Sequence, residues 1–123
     1  MSTTLDALLA TGAADAPALT APGRKALGHG ALRALIAATL ARLNALGIGR
    51  NDRVAIVLDN GPEMAACFVA CASGVTSAPL NPAYRADEFD FYLSDLRAKA
   101  LVVARASTSP AVAVAERLGM RVL

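Results

Sequence analysis

From Leu32 onward apolar side chains return every three or four residues, at Leu32, Leu35, Ile36, Leu40, Leu43 and Leu46, while Arg33, Arg42 and Asn44 fall between them. That spacing predicts an amphipathic helix from about Gly30, with the three polar residues on its other face and Gly47 as its stop. The period then changes. Arg53 to Leu58 is a continuous, β-branched apolar run, which predicts a strand covered on both faces. Asp59-Asn60-Gly61-Pro62-Glu63 supplies a capping residue, a first-turn proline and an early acid, so a helix is expected from about Pro62 to Ser73. Gly74 ends it, and Val75 to Leu80 predicts a second strand that leaves through Asn81-Pro82.

Phe89, Tyr92, Leu93 and Leu96 share one face of the next expected helix. Its first turn holds Asp87, Glu88 and Asp90, and Arg97 and Lys99 flank its far end, the charge order that a helix dipole favours. Ala100 to Val103 predicts a third strand. Ser107-Thr108-Ser109-Pro110 starts a helix running to about Leu118 and closed by Gly119, and Arg121-Val122-Leu123 begins a fourth strand. Strands alternating with helices predict an α/β protein with an open, doubly wound, mostly parallel sheet. Residues 1–28 are expected to be an N-terminal preamble, with a short helix near Leu5 to Ala10 and a short strand amid irregular chain around Pro17 and Pro22-Gly23. Residues 29–123 are expected to be a partial α/β subdomain, because the last strand has no covering helix and reads as cut.

At 123 residues the chain is one domain by the usual prior, and it can bury about two-thirds of its unfolded surface. Its composition, 55% hydrophobic but 4% aromatic, predicts a core of small side chains and excludes the disordered class. Twelve basic and ten acidic residues are dispersed, so neither a nucleic-acid footprint nor a polybasic membrane patch is expected. The start, Met1-Ser2-Thr3-Thr4-Leu5-Asp6, has no basic region and no uninterrupted apolar core follows it, which argues against a secretory signal and for the cytoplasm. The uncharged stretch between Glu63 and Arg85 is long enough for a membrane span of about 20 residues. Ser73, Gly74, Thr76, Ser77, Pro79, Asn81 and Pro82 interrupt it, so a buried helix and a buried strand are expected instead, with no membrane span.

Candidate chemistry is sparse. Cys67 and Cys71 stand four apart on one helix face and are open to reading as a redox pair or half of a metal site. A structural metal usually takes four ligands and the single histidine, His29, is remote in sequence, so two buried thiols behaving as small hydrophobes are expected, and no metal site. Gly28-His29-Gly30 and Gly47-Ile48-Gly49 begin like dinucleotide fingerprints, but Arg33 and Asp52 fill the third glycine position. No phosphate loop ends in Gly-Lys-Ser/Thr and no serine lies in a Gly-x-Ser-x-Gly elbow. His29 reads as a turn or helix-start residue rather than a base. Ligands of open α/β sheets collect at the carboxyl ends of the strands, here Asp59 to Gly61, Asn81 to Arg85 and Ala104 to Ser109. Arg85 and Arg105 are the cations nearest those ends and are the only cofactor-binding candidates, for a phosphate or carboxylate. The plainer reading of each is a solvated loop arginine. The helix start after Gly61 offers free N–H groups to an anion, on geometry alone.

The block from Gly49 to Val103 resembles the N-terminal part of the AMP-forming acyl-CoA synthetases, the adenylate-forming ligase superfamily. Gly49 to Leu58 looks like that family's Gly-Asp-Arg-Val-Ala strand with Asn51 in the glycine's place, and Asn60-Gly61-Pro62-Glu63 like its next turn. Cys71 to Pro82 resembles its helix-to-strand segment, and Glu88, Tyr92, Leu93, Asp95, Ala98 and Lys99 match the helix and strand beyond. Upstream, Leu27-Gly28-His29-Gly30-Ala31-Leu32 lacks the tyrosine and glutamate of the family's Leu-Thr-Tyr-x-Glu-Leu. The resemblance implies a parent enzyme that joins a carboxylate to AMP, releases pyrophosphate and passes the acyl group to coenzyme A, using ATP, Mg and CoA. The family's Ser/Thr/Gly-rich loop ending in lysine, its magnesium-linked acid, ribose-binding aspartate and catalytic lysine belong to later segments and a mobile C-terminal domain. Ser107-Thr108-Ser109-Pro110 echoes the loop without glycine or lysine, so no catalytic residue is carried over.

The first expectation is therefore a fragment of an acid-CoA ligase, inactive alone, whose partners are the downstream ATP-binding segments and the C-terminal domain. A stand-alone α/β binding or interaction module, self-associating through its exposed sheet edge, is the alternative. A piece of a peptide-synthetase adenylation domain is a third. The acyl substrate is not readable, because the family's pocket-lining segments lie downstream.

Overall fold

The computed structural model describes residues 4–123. In chain order they form α1 (Leu5–Leu9), β1 (Pro17–Leu19), β2 (Leu27–Gly28), α2 (His29–Ala45), β3 (Arg53–Val57), α3 (Pro62–Ala72), β4 (Thr76–Pro79), α4 (Ala86–Leu96), β5 (Ala100–Val103), α5 (Pro110–Arg117) and β6 (Arg121–Val122). The fold is α/β, and the expected strands and helices from residue 29 onward all form. Residues 1–3 of the expected preamble lie outside the described residues.

Two compact units share the chain. One holds the residues up to Gly49 together with Asn60–Gly74, the other Arg50–Asp59 with Val75–Leu123. In the first, β1 and β2 pair antiparallel, Pro17 with Gly28 and Leu19 with Leu27. The α2 helix packs on α3 through Leu32, Ile36 and Ala70, joined by Leu9, Leu19, Leu27, Leu40 and Val69. Gly47, at φ +79°, takes the left-handed conformation that ends α2, where a side chain would be strained.

Three expectations for this unit change. Leu35 belongs to the expected apolar stripe but is 41% exposed, because the buried positions Leu32, Ile36 and Leu43 define a stripe narrower than the spacing implies. Arg33 falls on the expected polar face, yet it is half-buried and its Nη1 donates to the carbonyls of Leu9 at 3.2 Å and Gly12 at 2.9 Å. Its charge satisfies the carbonyls left unpaired at the end of α1, which is why it turns inward. The α3 helix is buried only at Ala70 and Cys71, while Phe68 is 40% exposed and Cys67 half-buried, so the uniformly apolar sequence overstated its burial.

The second unit is a four-stranded parallel sheet in the order β4-β3-β5-β6. Val54 pairs with Ser77 on one side and Ala100 on the other, which places β3 inside the sheet. Val54 through Val57 are all buried, as expected of a strand covered on both faces. The β4 strand is not the buried strand expected. It borders only β3 and Thr76 and Pro79 are exposed, which suits a proline that cannot donate to a ladder. One core gathers Ala55, Val57 and Leu101 of the sheet with Phe89 and Leu93 of α4 and Ala111, Val114 and Ala115 of α5. Alanine and valine make up much of this core, as the composition predicts, with Phe89 as its largest fully buried side chain.

Candidate functional site

Three of the residues that carry the family resemblance, Asp52, Arg53 and Lys99, cluster at the amino ends of β3 and β5. Asp52 Oδ2 lies 3.3 Å from Lys99 Nζ, and the Lys99 N–H donates to the Arg53 carbonyl at 2.8 Å. Arg53 Nη1 donates to the carbonyl of Leu96, at the end of α4. Asp52, Arg53 and Lys99 thus fasten the start of β3 to the turn between α4 and β5. They are structural, and they lie at the end of the sheet opposite to where ligands collect in such folds.

At the carboxyl ends, strand order makes one place special. The chain passes from β3 to β4 on one side and then to β5 on the other, so the order reverses at β3. The carboxyl ends of β3 and β5 form the topological switch point of this sheet, the usual position of a ligand crevice. Val57 pairs with Val103, and two residues beyond each stand Asp59 and Arg105, both exposed. Asp59 belongs to the run that leads into α3, whose N-cap is Gly61. Its level with Arg105 depends on the parallel register, which no local pattern in the sequence discloses.

The two candidate arginines are not brought together. Arg85 is the residue before α4, next to the edge strand β4, and its Nε lies 4.0 Å from Asp87 Oδ1 and 3.8 Å from Glu88 Oε1. Glu88 also accepts the Arg85 backbone N–H at 3.1 Å, so the arginine belongs to the acidic first turn of its own helix. Arg105 follows β5 and has no hydrogen-bonding or ionic partner among the described residues. Of the two, Arg105 has the charge still available to an anion.

The Ser107-Thr108-Ser109-Pro110 segment is spent on the helix it precedes. Ser109 Oγ accepts the Ala111 N–H at 3.1 Å and Ser107 Oγ accepts the Ser109 N–H at 3.1 Å, with Pro110 in the first turn of α5. Those hydroxyls cap a helix instead of facing a phosphate.

In the first unit a cavity of about 200 Å³ is lined by Leu19, Arg24, Lys25, Leu27, Pro62 and Glu63, among others. Arg24 and Glu63 pair across it, and that hydrogen bond holds the Glu63 carboxyl below the usual range. Glu63 neutralises Arg24, and Lys25 is the other cation in the lining. His29 begins α2, as its turn sequence suggested, and a side chain at Gly12 would fall 2.5 Å from His29 Nδ1. Cys67 and Cys71 are free thiols. The Cys71 S–H bonds to Cys67, which lowers the Cys67 pKa and, reinforced by burial, raises that of Cys71. Among the described residues no group of three His, Cys, Asp or Glu side chains is placed to hold a metal, and no helix is long and apolar enough to cross a membrane.

This scaffold agrees with what the chain is similar to. Over 106 residues it is 39% identical to the oxalate-CoA ligase of Arabidopsis thaliana, a match covering 85% of this chain and 21% of that enzyme. Over 96 residues it is 31% identical to the 3-hydroxybenzoate-CoA ligase of Aromatoleum sp. (strain CIB), covering 77% of this chain and 18% of the relative. The structure of ATP-bound MatB from Rhodopseudomonas palustris superposes with a TM-score of 0.80 at 26% identity, over 99% of this chain and 25% of that one. The chain therefore spans about a quarter or less of the length of these relatives. The family profile described as AMP-binding enzyme matches residues 9–121, and the chain belongs to that family of adenylate-forming ligases, corresponding to their N-terminal portion.

Proposed function

We propose that this chain supplies scaffold to an ATP-dependent carboxylic acid-CoA ligase, which forms acyl-CoA, AMP and pyrophosphate through an acyl-AMP, and that it has no catalytic activity alone. The observation that carries this reading is the family match over residues 9–121 in a chain where three of the resembling residues, Asp52, Arg53 and Lys99, tie the sheet together. Adenylation requires neutralising charge on the ATP phosphates as the bond to the α-phosphate is exchanged. The residues present do not fit ATP and Mg: Ser107 and Ser109 cap α5, Arg85 is engaged by Asp87 and Glu88, and no lysine stands at a strand's carboxyl end. ATP, Mg and CoA belong to the whole enzyme, together with the remaining ATP-binding segments and the C-terminal domain.

Within that enzyme Arg105, at the switch point, is the better placed of the two arginines to meet an anionic group, and Arg85 remains a solvated helix-start residue. The relatives' names, oxalate and 3-hydroxybenzoate, describe acids of different size and polarity. We assign acyl selection to the rest of the protein accordingly. The test is a transplant: this chain replaces the matching segment of the Arabidopsis thaliana oxalate-CoA ligase, and acids are compared by CoA-thioester formation. Retained activity with an unchanged preference for oxalate supports a scaffold. A preference that shifts to another acid contradicts it.

A further inference from the structure

We propose that the Asn60-Gly61 pair, in the bend between β3 and α3, is a site of spontaneous deamidation, where water exchanges the asparagine amide for a carboxylate through a succinimide. The chain has four asparagines, Asn44, Asn51, Asn60 and Asn81, and only Asn60 is followed by glycine. Ring closure needs the next residue's nitrogen to reach the asparagine Cγ, and a glycine has no side chain to obstruct that approach. Asn60 and Gly61 are both exposed, and neither the Asn60 side chain nor the Gly61 N–H has a hydrogen-bonding partner among the described residues.

The other three asparagines are each held back. Asn44 and Ala45 lie in α2, where the Ala45 N–H belongs to the helix ladder. Asn51 precedes Asp52, whose side chain crowds the nitrogen. Asn81 precedes Pro82, which has no N–H to lose, and Asn81 Oδ1 accepts the Ala83 N–H at 2.9 Å. At Asn60 the Gly61 nitrogen loses its proton to hydroxide and bonds to Cγ, while the side-chain amide takes up a proton and leaves as ammonia. Water then opens the ring at either carbonyl, giving aspartate, or isoaspartate with the chain rerouted through the side-chain carbon. The net change is one water consumed and one ammonium released. Each conversion removes one unit from the formal net charge of +2 and sets a second carboxylate beside Asp59, at the carboxyl end of β3.

The experiment holds the full 123-residue chain in mildly alkaline buffer over days and maps its peptides by mass spectrometry, with fragmentation that separates isoaspartate from aspartate. Asn60 should convert first among the four asparagines, with isoaspartate among its products, at a rate within about tenfold of that of the guanidinium-unfolded chain. Gly61→Ala should slow the conversion about tenfold. That variant keeps the fold, because the Gly61 backbone is extended at φ 164° and a Cβ there would meet Glu63 Oε2 at an ordinary 3.6 Å. Conversion led by another asparagine, aspartate without isoaspartate, or a folded rate more than about tenfold below the unfolded one each overturns the proposal on the unsubstituted chain. An unchanged rate in Gly61→Ala overturns it as well.

Discussion

Gly74 stands directly against Leu40: a Cβ on the glycine would lie 2.6 Å from Leu40 Cδ2 and 3.0 Å from Cδ1. The contact joins the end of α3 to α2 and explains the glycine by close approach, in a unit whose core is made of such helix-to-helix contacts. Gly74→Ala should destabilise the chain by about 1 kcal/mol, the low end of the cost of overpacking because the Leu40 methyls can turn aside, measured by urea unfolding. In a Leu40→Ala background the same substitution should cost close to nothing. Additive effects of the two changes would contradict the contact.

Arg33 tethers α1 through the Leu9 and Gly12 carbonyls. Arg33→Ala removes a charged donor from both and should cost about 1–3 kcal/mol. The loss is local. Limited proteolysis should open the chain first at residues 5–13, with α4 and α5 as resistant as before.

Arg97 ends α4 in the left-handed conformation, at φ +50° and ψ +44°, where a side chain is strained by about 1–2 kcal/mol. Glycine removes that strain but loosens the unfolded chain by about 0.5–1 kcal/mol. Arg97→Gly should therefore raise stability by up to about 1 kcal/mol in thermal unfolding, although arginine is otherwise well suited to a helix's carboxyl end.

Two ionisable groups predict how stability responds to pH. The Arg24 hydrogen bond depresses the Glu63 pKa below its ordinary 4.5, so its contribution is present above that value and is lost as pH falls through the lower folded one. Glu63→Gln should flatten the acid limb of the stability profile. The hydrogen bond that the Tyr84 O–H donates to Tyr92 raises the Tyr84 pKa above 10, so that contribution is present below 10 and fades as pH rises through the folded value. The rings stack with centroids 5.0 Å apart, and Tyr92→Phe should keep the stack while returning the Tyr84 ultraviolet titration toward 10.

Much of the fold was legible because local signals agreed. Pro62 and Glu63 marked the start of α3, the run from Arg53 marked β3, and Gly119 closed α5. What stayed hidden depends on partners distant in sequence. The two-residue β2 is a strand only because Leu27 and Gly28 meet β1, and Arg33 turns inward only because the end of α1 lies beside it. For the candidate site, local sequence placed Arg85 and Arg105 after strands. It gave neither the β4-β3-β5 order that makes Arg105 a switch-point residue nor the acidic pair that occupies Arg85.

Edge pairing remains a natural route to self-association, which we propose is weak. The four-residue β4 ends at Pro79 and β6 has two residues, so neither edge offers a long unpaired ladder. Sedimentation velocity at micromolar concentration should show a monomer, and a stable dimer would favour the stand-alone interaction module.

The most direct measurement is turnover by the purified 123-residue chain. With ATP, Mg, CoA and a panel including oxalate, 3-hydroxybenzoate and fatty acids, pyrophosphate release and acyl-AMP should stay at the no-protein blank. Acyl-AMP formed in proportion to chain concentration, and abolished by a substitution within the chain such as Arg105→Ala, would contradict the scaffold account.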